Sequence, residues 1–203
     1  MADGPDIWPK PHYEVGQPKH VHALGVVAAQ YNGLESSLLA LLYDYTGLSA
    51  ETTQWLFSHT SNNVRLELLK RCVNERESDP YMKNYVLHFA DWFDVCSANR
   101  NVLMHSIVSV TDEATLNFTK SSRNDPRKIN AVDLSIEDIR RVADDITVAE
   151  GMGLRLHTRF ISTKSGKPDN LAEDVWRFLS TLPKKPRVPS KLLKPKSQAP
   201  NSG

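Results

Sequence analysis

The sequence predicts a mainly α protein, an up-and-down bundle of four to five helices with a small β-hairpin after the fourth helix. Three observations carry that expectation. Apolar residues recur at alternating spacings of three and four through most of residues 19–160, as on helices with one buried face. Helix-opening signals, Asp79-Pro80 and Ser135 with Asp138, punctuate the pattern. Between residues 106 and 119 the period falls to two, as in strands that bury one face.

The first eighteen residues carry Pro5, Pro9, Pro11 and Pro18, which remove backbone donors and fix φ, so residues 1–18 read as an extended proline-rich arm. The first helix runs from Lys19 to about Thr46 with Leu24, Val27, Tyr31, Leu34, Leu38, Leu41 and Tyr45 on one face. Val21, Ala28, Leu39 and Leu42 widen that face, which predicts burial on more than one side. Gly47 ends it, and Ser49 caps a short helix through Trp55, Leu56 and Phe57. Ser61 or Asn62 caps a third, with Val64, Leu68, Leu69, Cys72 and Val73 inward. After Asp79-Pro80 a fourth helix places Tyr81, Tyr85, Phe89, Trp92, Phe93 and Cys96 inward, and Arg100 continues that series at the next i+4 step.

The segments SIVSV and TLNFT flank the polar turn 111–114 and read as a hairpin. Residues 121–132 are polar and read as a loop. A last long helix opens at Ser135, passes through Ile136, Ile139, Val142, Ile146 and Ala149, is weakened at Gly151 and Gly153, and extends to Phe160 after a kink. Ser165-Gly166-Lys167-Pro168 breaks the chain, and Leu171–Leu182 forms a short segment that docks back through Val175, Trp176 and Phe178. A helical domain thus spans residues 19–182. Residues 183–203 are poor in apolar area and read as a disordered basic tail.

With 203 residues, 40% hydrophobic and 24% charged, the chain is long enough for one sizeable core and is not disordered as a whole. Its net charge of +1 gives no bulk electrostatic sign of a nucleic-acid partner. The distribution is uneven: the tail holds six of the 25 basic residues and no acidic one, so residues 1–182 stand at 19 − 24 = −5. The lysines of the tail suit salt-sensitive contacts with RNA phosphates, or simply solubility. Cys72 and Cys96 lie among apolar neighbours without a CxxC pair and read as reduced core residues. No apolar run reaches the roughly 18–20 residues of a membrane span, and no secretory signal opens the chain, so a cytoplasmic protein without membrane partners is expected.

The candidate chemistry lies in NRNVLMHS, residues 99–106. An arginine can hold a phosphate and a histidine can move a proton near neutral pH. Bare R-x4-H spacing is weak; its place, at the end of an aromatic-rich helix and at the junction with a hairpin, carries more. On an unbroken helix, residues five apart differ by about 140°. Arg100 and His105 are therefore expected to converge only if the helix ends near Leu103 or if a partner chain completes the site. Glu35 beside the inward stripe is placed to pair with Arg65 or Arg100, or to lie exposed on the helix edge.

The segment RNVLMH (100–105), with Asn101 directly after the arginine, resembles the R-x(4–6)-H motif of RNase members of the HEPN superfamily, all-helical domains in which Asn, Asp or His often follows the Arg. AQYNGLESSLLALL (29–42) is similar to the long N-terminal helix of bacterial HEPN-like proteins, where a small or aromatic residue precedes a Leu-Glu step. The third helix and the hairpin after the histidine fit that subgroup too. The resemblance covers about residues 19–160 and leaves out the arm and the tail. It implies a metal-independent endoribonuclease acting at a homodimer interface on RNA, without cofactor or metal. A toxin or defence role, with an antitoxin or regulatory partner, would go with it.

The chemistry is consistent with that implication. A 2′-hydroxyl attacking its own phosphate needs a base, an acid for the leaving 5′-oxygen, and donors for the charge growing on phosphoryl oxygens. One Arg and one His supply half of this, and a two-fold axis would double it. Asn101 adds a neutral donor or orients its neighbours. The simpler reading also explains both residues: Arg100 is favourable near a helix C-terminus, and His105 can cap free carbonyls. The alternative function is a non-catalytic helical interaction or RNA-binding protein using the same surface.

Other candidates are weaker. His20 and His22 diverge whether the backbone is extended or helical, which suits no single metal. His59, His88 and His157 lack ligand-spaced partners and read as surface or boundary residues. Gly151-Met152-Gly153 lacks the third glycine and the preceding strand of a dinucleotide loop.

Overall fold

Five helices and a three-stranded sheet make up the protein, in the order α1 (Pro18–Thr46), α2 (Ala50–His59), α3 (Asn62–Arg76), α4 (Pro80–His105), β1 (Ile107–Val110), β2 (Thr115–Ser121), β3 (Ile129–Ser135) and α5 (Ile136–Ser165). The computed structural model describes residues 16–121, 129–166, 173–174, 177, 181–182 and 187–193. The arm up to residue 15, residues 122–128, most of the 171–182 segment with Val175, Trp176 and Phe178, and tail residues 183–186 and 194–203 lie outside them.

Helix α1 touches all four other helices. Val27, Tyr31, Leu34, Leu38, Leu41 and Tyr45 are buried on its expected stripe and Leu42 beside them, whereas Val21 is exposed. Gly47 ends the helix at φ 68°, a left-handed conformation open to a residue without Cβ. Ser49 caps α2 by accepting from the Thr52 N–H at 3.1 Å, and Asp79 caps α4 by accepting from the Tyr81 N–H at 2.8 Å. In α3 the inward set is Leu66, Leu69, Cys72 and Val73. Val64, expected inward, is exposed, because the buried face is turned so that Leu66 meets the core. Both cysteines are free and buried, and burial pushes the Cys96 thiol up to about 12. Among the described residues, no helix is long and apolar enough to cross a membrane.

The expected hairpin is β1–β2, but the sheet has a third strand where the polar composition of 121–132 suggested a loop. β3 pairs antiparallel with β2, setting Leu134 opposite Leu116 and Val132 opposite Phe118. Only these two apolar residues of β3 face inward, too few to register as alternation in sequence. Leu116 and Phe118, both buried, supply the apolar surface that holds it.

Helix α5 opens on a full capping box, Ser135 accepting from the Asp138 N–H at 3.1 Å and Asp138 accepting from the Ser135 N–H at 3.0 Å. It runs unbroken through Gly151 and Gly153 to Ser165, without the interruption expected there. Only the second glycine serves packing. A Cβ on Gly153 would stand 2.6 Å from Ser37 Cβ and 2.8 Å from Phe89 Cε2, whereas one on Gly151 would meet nothing within 4 Å. α1 and α5 are also pinned by His157, whose Nδ1 lies 2.7 Å from Asp44 Oδ2. The Asp44 side chain is only 3% exposed, and its carboxyl is pushed above the usual range by burial, with His157 and Lys164 opposing. In return the hydrogen bond to Asp44 raises His157 above 6.5 against the desolvation of its ring.

Tail residues 187–193, expected to be disordered, lie against the body. Val188, Leu192 and Leu193 pack on the core. Their apolar area is diluted when composition is averaged over the whole lysine-rich tail.

Two stability outcomes follow. Gly153→Ala should lower stability by about 1–3 kcal/mol through overpacking, whereas Gly151→Ala should raise it by up to about 1 kcal/mol; urea unfolding of the two variants checks the opposite signs. A raised His157 pKa contributes stability that is complete below the unfolded value of 6.5 and is lost as pH rises through the folded value. The thermal midpoint should therefore fall by a few degrees between pH 6 and pH 8.5, and His157→Gln should flatten that dependence.

Candidate functional site

Arg100, Asn101 and His105 come together at the C-terminal end of α4. Arg100 Nη1 donates to His105 Nε2 at 3.0 Å and lies 3.2 Å from Asn101 Oδ1. The helix neither ends near Leu103 nor needs a second chain for this convergence, contrary to the angular expectation: α4 continues to His105. The long arginine side chain reaches along the helix to the imidazole. Only the positions of Cα atoms obey the 140° separation.

A guanidinium has no acceptor, so Nε2 can take this hydrogen bond only in the tautomer that carries its proton on Nδ1. His105 is exposed. Ile107, two residues on, is 77% exposed, and Val110 is exposed on the same strand.

Arg100 is half-buried and held from below. Its guanidinium carbon stands 5.1 Å from the centre of the Tyr31 ring, a cation–π contact from α1. Its Nε is buried and meets no acceptor among the described residues. The Tyr31 hydroxyl accepts from Asn62 Nδ2 at 2.8 Å, and the same amide reaches Ser97 Oγ and Glu35 Oε1 at 3.4 Å each. Asn62 Oδ1 in turn accepts from Arg65 Nη1 at 2.5 Å, and Arg65 pairs with Glu35 at 3.7 Å. Arg65 also donates to the Phe57 carbonyl and covers the Phe57 ring at 3.7 Å. Four helices are thus joined by one polar network. Of the two arginines open to Glu35, the structure gives it Arg65.

Burial pushes the Tyr31 hydroxyl up to about 12, with the Glu35 charge adding and Ser97 and Arg100 opposing. At neutral pH Tyr31 is therefore a protonated platform and not a base. Burial pulls Arg65 below its ordinary range, against the attraction of Glu35. A further cation comes from the sheet: Lys120 of β2 donates to the Asn101 carbonyl at 3.1 Å.

Sequence reasoning placed Tyr31 in the core stripe and Asn62 at a helix start without giving either a part in the site. Ser97 and Lys120 carried no signal at all, since their relevance arises only once α1, α3, α4 and β2 are assembled. The other histidines lie elsewhere. His20 is buried with Nε2 3.3 Å from the Ala114 carbonyl oxygen, and His59 stacks on Trp55. Among the described residues no group of three or more His, Cys, Asp and Glu could hold a metal ion.

Chemically, the arrangement offers an imidazole at the surface beside a guanidinium cation. Removing the carboxylate of Glu35 should leave Arg65 poorly compensated in a buried place. Glu35→Ala is expected to lower unfolding free energy by about 1–3 kcal/mol in urea titrations, whereas alanine at exposed Glu75 should change it by less than about 0.5 kcal/mol.

No family model matches the chain, and neither a curated protein nor a solved structure matches it.

Proposed function

We propose that the chain is a metal-independent endoribonuclease of the HEPN type that works as a homodimer, with Arg100 and His105 as catalytic residues and Asn101 in support. The observation that carries this reading is the 3.0 Å contact between Arg100 Nη1 and Nε2 of an exposed His105. In the proposed reaction an RNA phosphate draws the guanidinium away from Nε2 and so frees the lone pair of the base. Nε2 removes the 2′-hydroxyl proton, the 2′-oxygen attacks the adjacent phosphorus, and the P–O5′ bond breaks. His105 of the second copy, released from its own Arg100 by the same phosphate and protonated from solvent to imidazolium, gives that proton to the departing 5′-oxygen. Both guanidinium groups hold the non-bridging oxygens, where charge grows. The products are a 2′,3′-cyclic phosphate and a free 5′-hydroxyl.

Two features support the dimer, and a third supports the part given to the arginines. One protomer offers a single histidine where the reaction needs a base and an acid. Exposed Ile107, two residues after His105, provides apolar surface for a second copy. Glu35 is engaged by Arg65 and Asn62, which leaves charge stabilisation to the guanidinium groups. A toxin or defence role, restrained by an antitoxin or regulatory partner, belongs to the same proposal and follows from the family resemblance alone.

One observation favours a second reading. Arg100 finds His105 and Asn101 within its own helix, so the turn is satisfied without substrate, as in a non-catalytic RNA-binding or interaction surface.

Purified protein in chelator should cut single-stranded RNA to 2′,3′-cyclic phosphate ends. Losing the base or the acid typically costs about 10²–10⁴-fold, and His105→Ala and Arg100→Ala should each reduce the rate by at least the lower figure. RNA that binds uncut would favour the second reading. Equal cleavage by His105→Ala would place the activity elsewhere.

A further inference from the structure

We propose that the groove between α4, β3 and α5 is a peptide-binding site, and that its ligand in cis is the chain's own segment Arg187–Leu193, RVPSKLL. The proposal is independent of any role for Arg100 and His105.

Asn99 is the recognising group. It stands on the buried stripe of α4, one turn from Val95 and from Val102 and Leu103, and is 2% exposed. An amide in such a stripe costs free energy unless both of its ends are paired. Both are, and both by backbone of the segment: Nδ2 donates to the Ser190 carbonyl at 3.1 Å, and Oδ1 accepts from the Leu192 N–H at 2.8 Å. This two-point hold spans Lys191 and reads main chain, as peptide-binding grooves do. Side chains add selectivity. Val188, Leu192 and Leu193 pack on the core, and Lys191 Nζ lies 2.6 Å from Asp94 Oδ2.

Charge and stiffness favour the same occupant. Asp133, Asp138 and Asp145 line a 620 Å3 cavity together with Arg141 and, from the segment, Arg187 and Lys191. The body is acidic, and all six basic residues of the tail lie beyond residue 182. Pro189 fixes its own φ and biases Val188 to extended backbone, so less freedom is lost on docking. Because the segment belongs to the same chain, its docking is intramolecular, and even a weak peptide remains bound.

The test uses a fluorescent RVPSKLL peptide and full-length chains. In Val188→Asp/Leu192→Asp the tail should vacate the groove, and the peptide should bind at least tenfold more tightly than to the unaltered chain. Adding Asn99→Ala to that variant should weaken binding at least tenfold. Should the acidic pair impair folding, Leu192→Pro, which removes the amide that Asn99 accepts, gives the same comparison. Equal binding to vacated and unaltered chains, or indifference to Asn99→Ala, would overturn the proposal. So would an unaltered chain that sediments as a dimer and becomes monomeric on Leu192→Asp, since the occupant would then be the tail of a second copy.

Discussion

Because α1 is covered by every other helix, the polar groups on its inner faces depend on partners from those helices, and much of the structure follows from that constraint. Near its middle Tyr31 and Glu35 are satisfied by Asn62 and Arg65 of α3. Toward its C-terminal end Asp44 is satisfied by His157 of α5. Between these, Gly153 brings α5 close enough to Ser37 that no side chain fits. Polar pairings and a small residue therefore fix how the helices meet, while the leucine stripe supplies most of the buried apolar area.

The candidate site is the surface end of that internal network. Asn62 fixes the Tyr31 hydroxyl, the Tyr31 ring carries the Arg100 guanidinium, and Arg100 holds His105. Each link is local, yet the chain reaches from a buried amide to an exposed imidazole. A base at the surface is ordinarily free to rotate; this one is held by a cation that is itself supported from the core. The same cation occupies the lone pair the proposed cleavage would use, so an incoming phosphate would both bind the site and release its base.

Much of this architecture was legible in the sequence. Asp79-Pro80, Ser49 and Ser135 marked helix starts correctly because capping is local chemistry, and the α1 stripe pointed to a central helix. Legibility ended where geometry is tertiary. β3 shows only Val132 and Leu134 inward and owes its place to Leu116 and Phe118. α5 continues past two glycines because packing against Ser37 and Phe89 outweighs helix propensity. Arg100, Asn101 and His105 could be singled out by type and position, but treating side chains as radial spokes hid the reach of an arginine along its own helix. The docking of residues 187–193 was hidden by averaging three apolar side chains into a lysine-rich tail.

The central claim is that Arg100 donates to Nε2 of His105 on one helix. Nitrogen NMR of the imidazole in the unaltered chain at neutral pH tests it most directly. A neutral ring with its proton on Nδ1, and a change in that tautomer balance on Arg100→Ala, is the expected result. A proton on Nε2 in the unaltered chain would contradict it.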